Sequence, residues 1–203
     1  MRRTKTCSVS PIRYIIVASH SGLWRGSVAC SGFKMSIIDI EVISKYLSGV
    51  GPDTCIYLGC DSERIKHGKV WVVDYTLAVV LHIDGRHGCK IFGEIQREAD
   101  HTQRADKPAL RLMGEVYRVA DLYQKVLAVA DGRRIEVHLD INPKEAAGSN
   151  VVISQAVGYI RGVCQVEPMV KPRAFAASCA ADRLKSVLAS ARPVVCLNEH
   201  RAR

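Results

Sequence analysis

The chain has 203 residues, 48% of them hydrophobic and only 6% aromatic, with a formal net charge of +9. That is enough for one domain with a real core, and no apolar run reaches the ~20 residues of a membrane-spanning helix. Residues 1–34 carry six basic and no acidic residues, and residues 183–203 a net +4, so the middle stands at −1. Net charge therefore gives little reason by itself to expect a nucleic-acid partner.

Eight cysteines stand at 7, 30, 55, 60, 89, 164, 179 and 196. None forms a C-x-x-C pair, so a zinc site is not expected. Scattered thiols in a chain that needs no staples predict a reducing, cytoplasmic compartment.

Residues 1–34 read as a basic N-terminal extension, disordered or not native, upstream of a domain that opens at Met35. An ordered arm, with Tyr14–Ala18 pairing as a strand, and a targeting peptide are the alternatives. Ser36 looks like an N-cap for a helix over 37–48, with Ile37, Ile40, Ile43 and Leu47 at helical spacing. Gly49 and Gly51-Pro52 stop it. Thr54 to Cys60 reads as a buried strand ending at Asp61-Ser62-Glu63, and His67-Gly68-Lys69 as a turn. Val70 to His82 is a long strand, Asp84 to Gly88 a hairpin turn, and Cys89 to Arg97 the returning strand.

Residues 105–130 carry the longest helical pattern. Its stripe Leu112, Glu115, Val119, Leu122 and Val126 faces a core and places a carboxylate on that face. Either Glu115 has a partner there or it snorkels to water. Ile135 to Asn142 alternates, with Glu136, His138, Asp140 and Asn142 on one face. That face is either solvated or holds Asp140 against a partner. Ser149 can cap a helix, Cys164 to Val170 reads as a strand, and a last helix runs from about 174 to 189 with Asp182 inside it. The expected domain spans 35–190, with a basic tail over 191–203. It is an α/β fold with a mixed five-stranded sheet: an antiparallel meander, then helix, strand, helix, strand and helix, behind one extra N-terminal helix.

Asp61, Glu115, Asp140 and Asp182 thus come from four separate elements. Carboxylates can converge only around positive charge, and their oxygens suit Mg²⁺ or Mn²⁺. Two such ions about 4 Å apart clamp the attacking and leaving oxygens of a phosphodiester displacement.

The element order with carboxylates at these places resembles the ribonuclease H fold. Gly59-Cys60-Asp61-Ser62, Val137-His138-Leu139-Asp140-Ile141, and Val170-Lys171-Pro172 followed by Phe175 to Arg183 resemble the YkuK-type ribonuclease H-like family over about residues 36–186. That resemblance implies a nuclease with two divalent ions, Mg²⁺ or Mn²⁺, acting on RNA, DNA or a hybrid. Asp61 and Asp140 would bridge or hold the ions, with Glu115 on one and Asp182 on the other. Ser62, Lys171 and Arg183 would bind substrate, and His138, Asn142 and Ser178 would support the ligands. A packed His and a solvated helix face, for Arg183 and Lys185 alike, are the plainer readings. Asp61-Ser62-Glu63 also matches the Asp-x-Glu of proofreading exonucleases on this fold. Their Tyr or His base stands four residues before the last Asp, a place held here by Ser178, a poor base. Glu63 is therefore read as a turn residue. The alternative function is a non-catalytic protein of the same fold that binds nucleic acid or forms a homodimer.

Overall fold

A computed structural model describes residues 18–19, 38–68, 70–85, 88–100, 109–143 and 152–190. The extension apart from 18–19, the Ser36 and Ser149 caps, the start of the long helix and the tail over 191–203 lie outside the described residues.

One sheet organises the chain. Its strands are β1 (Ala18–Ser19), β2 (Cys55–His67), β3 (Val70–His82), β4 (Cys89–Ala99), β5 (Ile135–Leu139) and β6 (Met169–Val170). They lie in the order β1-β4-β3-β2-β5-β6. β2, β3 and β4 form the expected antiparallel meander. β5 runs parallel to β2, and β6 parallel to β5. Two-residue β1 adds a sixth strand on the β4 edge, at the end of the apolar run 14–18.

Alternation along the strands sorts the core into two layers. Ile56, Leu58 and Cys60 of β2, Tyr75, Leu77 and Val79 of β3, and Val137 and Leu139 of β5 face the larger core. There they meet α1 (Ile40–Leu47), α2 (Ala109–Leu127) and α3 (Ile153–Cys164). Ala78 and Val80 face the opposite way, against Ala176, Ala180 and Leu184. This second layer is a single π-helical turn (Ala176–Ala180) running into α4 (Ala181–Ser190). Its small residues allow a close approach to the sheet.

The cap of α1 is Asp39, whose side chain accepts from the Glu41 and Val42 backbone N–H groups at 2.9 and 3.3 Å. It corrects the expected start at 37, because Asp39 accepts at the N-cap and Ile40 is the first helical residue. The expected strand over 164–170 shrinks to Met169–Val170. Cys164 completes α3, Gln165 turns left-handed at φ 58°, and Pro168 has no N–H to give a ladder. β2 does not end at Asp61 either. It pairs with β3 through His67, and only its pairing with β5 stops at Cys60.

Arg133, 7% exposed, closes the far end of α1. Its guanidinium donates to the Leu47 and Val50 carbonyls at 2.9 and 3.0 Å. Arg133→Met strands these acceptors, and should cost about 2–3 kcal/mol in urea unfolding while leaving the far end of the sheet unaffected.

Candidate active site

Register brings the site together. The last residues paired between β2 and β5 are Cys60 and Leu139, and the last between β5 and β6 are Leu139 and Val170. Asp61, Asp140 and Lys171 are each the next residue. They form a row where the parallel pairing of β2, β5 and β6 stops, the edge at which ligands of open α/β sheets bind. The Lys171 N–H donates to the Ile141 carbonyl at 3.1 Å, which fixes the backbone beside Asp140.

Each aspartate in the row holds an ammonium. Lys171 Nζ is 2.8 Å from Asp140 Oδ1. This buried oxygen has the Lys171 ammonium as its ion-pair partner and no further hydrogen-bond donor. Lys185 of α4 bonds to Asp61 Oδ2, across 124 residues of sequence, and sits 3.6 Å from Asp182 Oδ1. Asp61 Oδ1 accepts from the Ser62 N–H at 2.8 Å. Burial raises the Asp61 pKa despite the pull of Lys185, and Asp140 and Asp182 add to the rise. Lys171 is raised, first by its contact with Asp140. Burial works against Lys185, but Asp61 and Asp182 outweigh it and hold it above its usual value.

Glu115 enters from α2 and is 4% exposed. The Ser62 hydroxyl donates to its Oε1. Burial, with Asp61 and Asp140 adding to it, pushes the Glu115 carboxyl up to about 8 against that hydrogen bond. The inward reading of the α2 stripe therefore holds, and three carboxylates feel one another.

The remaining candidates are placed differently. Asp182 is on the first turn of α4 with a largely exposed side chain. Arg183 is exposed beside it. His138 is buried among Tyr57 and Phe175; its Nδ1 accepts from the Ala176 N–H at 3.0 Å and Nε2 lies 3.5 Å from Glu136. Burial lowers its pKa. It anchors the π turn to β5, which is the packed-His reading. The Ser178 hydroxyl donates to the Ala174 carbonyl, two residues before the π turn begins. Asn142 is half-buried two residues past Asp140, and Glu63 is exposed on β2. Lys185 is the residue whose place departs most from its sequence reading: a solvated helix face was expected, and its side chain is 21% exposed against Asp61. Its one signal was i,i+3 spacing from Asp182.

The donor set suits a hard cation in kind: carboxylate oxygens only, with Glu115 buried and Asp140 Oδ1 held by nothing but the Lys171 ammonium. Among the described residues, no three of the His, Cys, Asp or Glu side chains form a ready ion site. The two ammoniums stand on the oxygens such an ion would use.

A mixed sheet in this order, with helices on both faces, is of the ribonuclease H-like class. The family model described as Ribonuclease H-like matches residues 40–186, and the chain belongs to that family, the YkuK family. Neither the curated proteins nor the solved structures gave a match. No described helix is long and apolar enough to cross a membrane.

Proposed function

We propose that the protein is a divalent-metal-dependent nuclease that hydrolyses phosphodiester bonds of RNA, DNA or a hybrid. The observation that carries this reading is the register row of Asp61, Asp140 and Lys171 just past the parallel pairings, with Glu115 beside it. Asp61, Glu115 and Asp140 would hold Mg²⁺ or Mn²⁺, with Asp182 at the margin. When bound, such cations activate water and stabilise the departing oxygen. The Ser62 hydroxyl, donating to Oε1, orients Glu115. Lys171, 42% exposed, is free to swing from Asp140 onto a substrate phosphate. The five described cysteines are free thiols, in keeping with a cytoplasmic setting.

Lys171→Ala should therefore raise KM about 10- to 100-fold, the worth of one charge-assisted contact, while Lys171→Arg retains most of the binding. Steady-state cleavage of a labelled oligonucleotide reads both. The proposal as a whole is tested by cleavage of a panel of hybrid duplex, duplex DNA, single strands and a four-way junction with Mg²⁺ or Mn²⁺. Cleavage that EDTA and Asp61→Asn both remove supports it. A panel left intact favours the second reading, a binding or dimerising protein of this fold. The ammoniums already paired with Asp61 and Asp140 speak for that second reading.

A further inference from the structure

We infer that Lys185 is a built-in counterion filling the cation position between Asp61 and Asp182, so that this protein binds one divalent ion where the family pattern implies two. The inference rests on the nuclease reading above and concerns how that site is charged.

Lys185 Nζ bonds to Asp61 and lies 3.6 Å from Asp182 Oδ1. These are the two carboxylates that a second ion, on the α4 side of the row, would have to bridge. Asp182 and Lys185 are three residues apart on one helix, hence on one face, so the ammonium reaches Asp61 over the same side of α4 that presents Asp182. A cation cannot take those oxygens while the ammonium stays on them.

The two lysines are not alike. Lys171 touches one aspartate and is 42% exposed, whereas Lys185 touches two and is 21% exposed. The first can leave for solvent or phosphate at little cost. The second is covered, and its departure would leave a half-buried Asp61 with no cation and only the Ser62 N–H. On the other side of the row Glu115 holds no ammonium: it accepts from the neutral Ser62 hydroxyl, and Arg111 acts on it only through its field. The single ion therefore belongs between Glu115, Asp140 and the inner side of Asp61.

The test is Mn²⁺ titration of the full chain by calorimetry, with electron paramagnetic resonance to tell an isolated ion from a coupled pair. Wild type should bind one ion and give an uncoupled signal. Lys185→Met should gain a second ion and a coupled signal, and Lys185→Arg should stay at one. Two ions in wild type, or an unchanged single ion in a folded Lys185→Met, would overturn the inference and leave the nuclease reading standing. Absence of Mn²⁺ binding in wild type would overturn both. Should Lys185→Met fail to fold, the wild-type count and signal still decide.

Discussion

Asp140→Asn should cut cleavage by on the order of 10³-fold or more, the scale of losing one preorganised charge from a reacting centre. Asn keeps the shape of Asp and removes only the charge. Asp140 stands one residue beyond Leu139, the last paired residue of β5, so the backbone has no reason to move. The ion pair it loses is with Lys171, a half-exposed ammonium, and pairs of that kind contribute little to stability, ~1 kcal/mol or less. The expected result is therefore a separation: single-turnover cleavage collapses while the urea midpoint hardly shifts. A large fall in both would mean that Asp140 is a structural ion-pair residue.

Gly59→Ala should do the reverse, unfolding the site from beneath. A Cβ at Gly59 would sit 2.5 Å from the Ala176 carbonyl carbon and 2.6 Å from Ala177 Cα. These are backbone atoms of the π turn, which no rotamer change can withdraw. Overpacking a tight core commonly costs 1–3 kcal/mol, and here about 3 kcal/mol or more is expected because the obstacle is backbone. The displaced turn leads directly into α4, so Asp182 and Lys185 move with it. Gly93→Ala is the control. Its nearest obstacle is the Leu184 side-chain tip, which can rotate away, so a smaller loss is expected. Urea unfolding of the two variants, with cleavage measured on any Gly59→Ala that folds, checks both parts.

The legible parts of the fold were those with strong periodicity. The β2–β4 meander and α2 announce themselves through long β-branched runs and a 3–4 stripe, and every residue of that stripe is buried. Glu115 could be found because a carboxylate on such a stripe is out of place. The row of Asp61, Asp140 and Lys171 was half legible. Strand ends mark the two acids, but pattern alone does not reveal that Asp61 ends a pairing and not a strand. The short elements were the hardest. β6 has two residues, and the π turn has no period of its own in a run of alanines. Lys171 was read as a substrate contact and Lys185 as part of a solvated helix face. Their pairing with Asp140 and Asp61 depends on how α4 and β6 settle against the sheet, which side-chain pattern does not encode. The buried anchors Arg133 and His138 likewise emerge only from tertiary packing.

The most direct test of the central claim, that Asp61, Glu115 and Asp140 form a hard-cation site, is thermal unfolding of the full chain against Mn²⁺ concentration. A ligand that binds only the folded state stabilises it by mass action, about 2.7 kcal/mol at a hundredfold excess over Kd. The predicted result is a Tm that rises steadily into the millimolar range for wild type and stays flat for the Asp61→Asn, Asp140→Asn double variant. A wild-type Tm indifferent to Mn²⁺, or one that rises equally in the double variant, would contradict it.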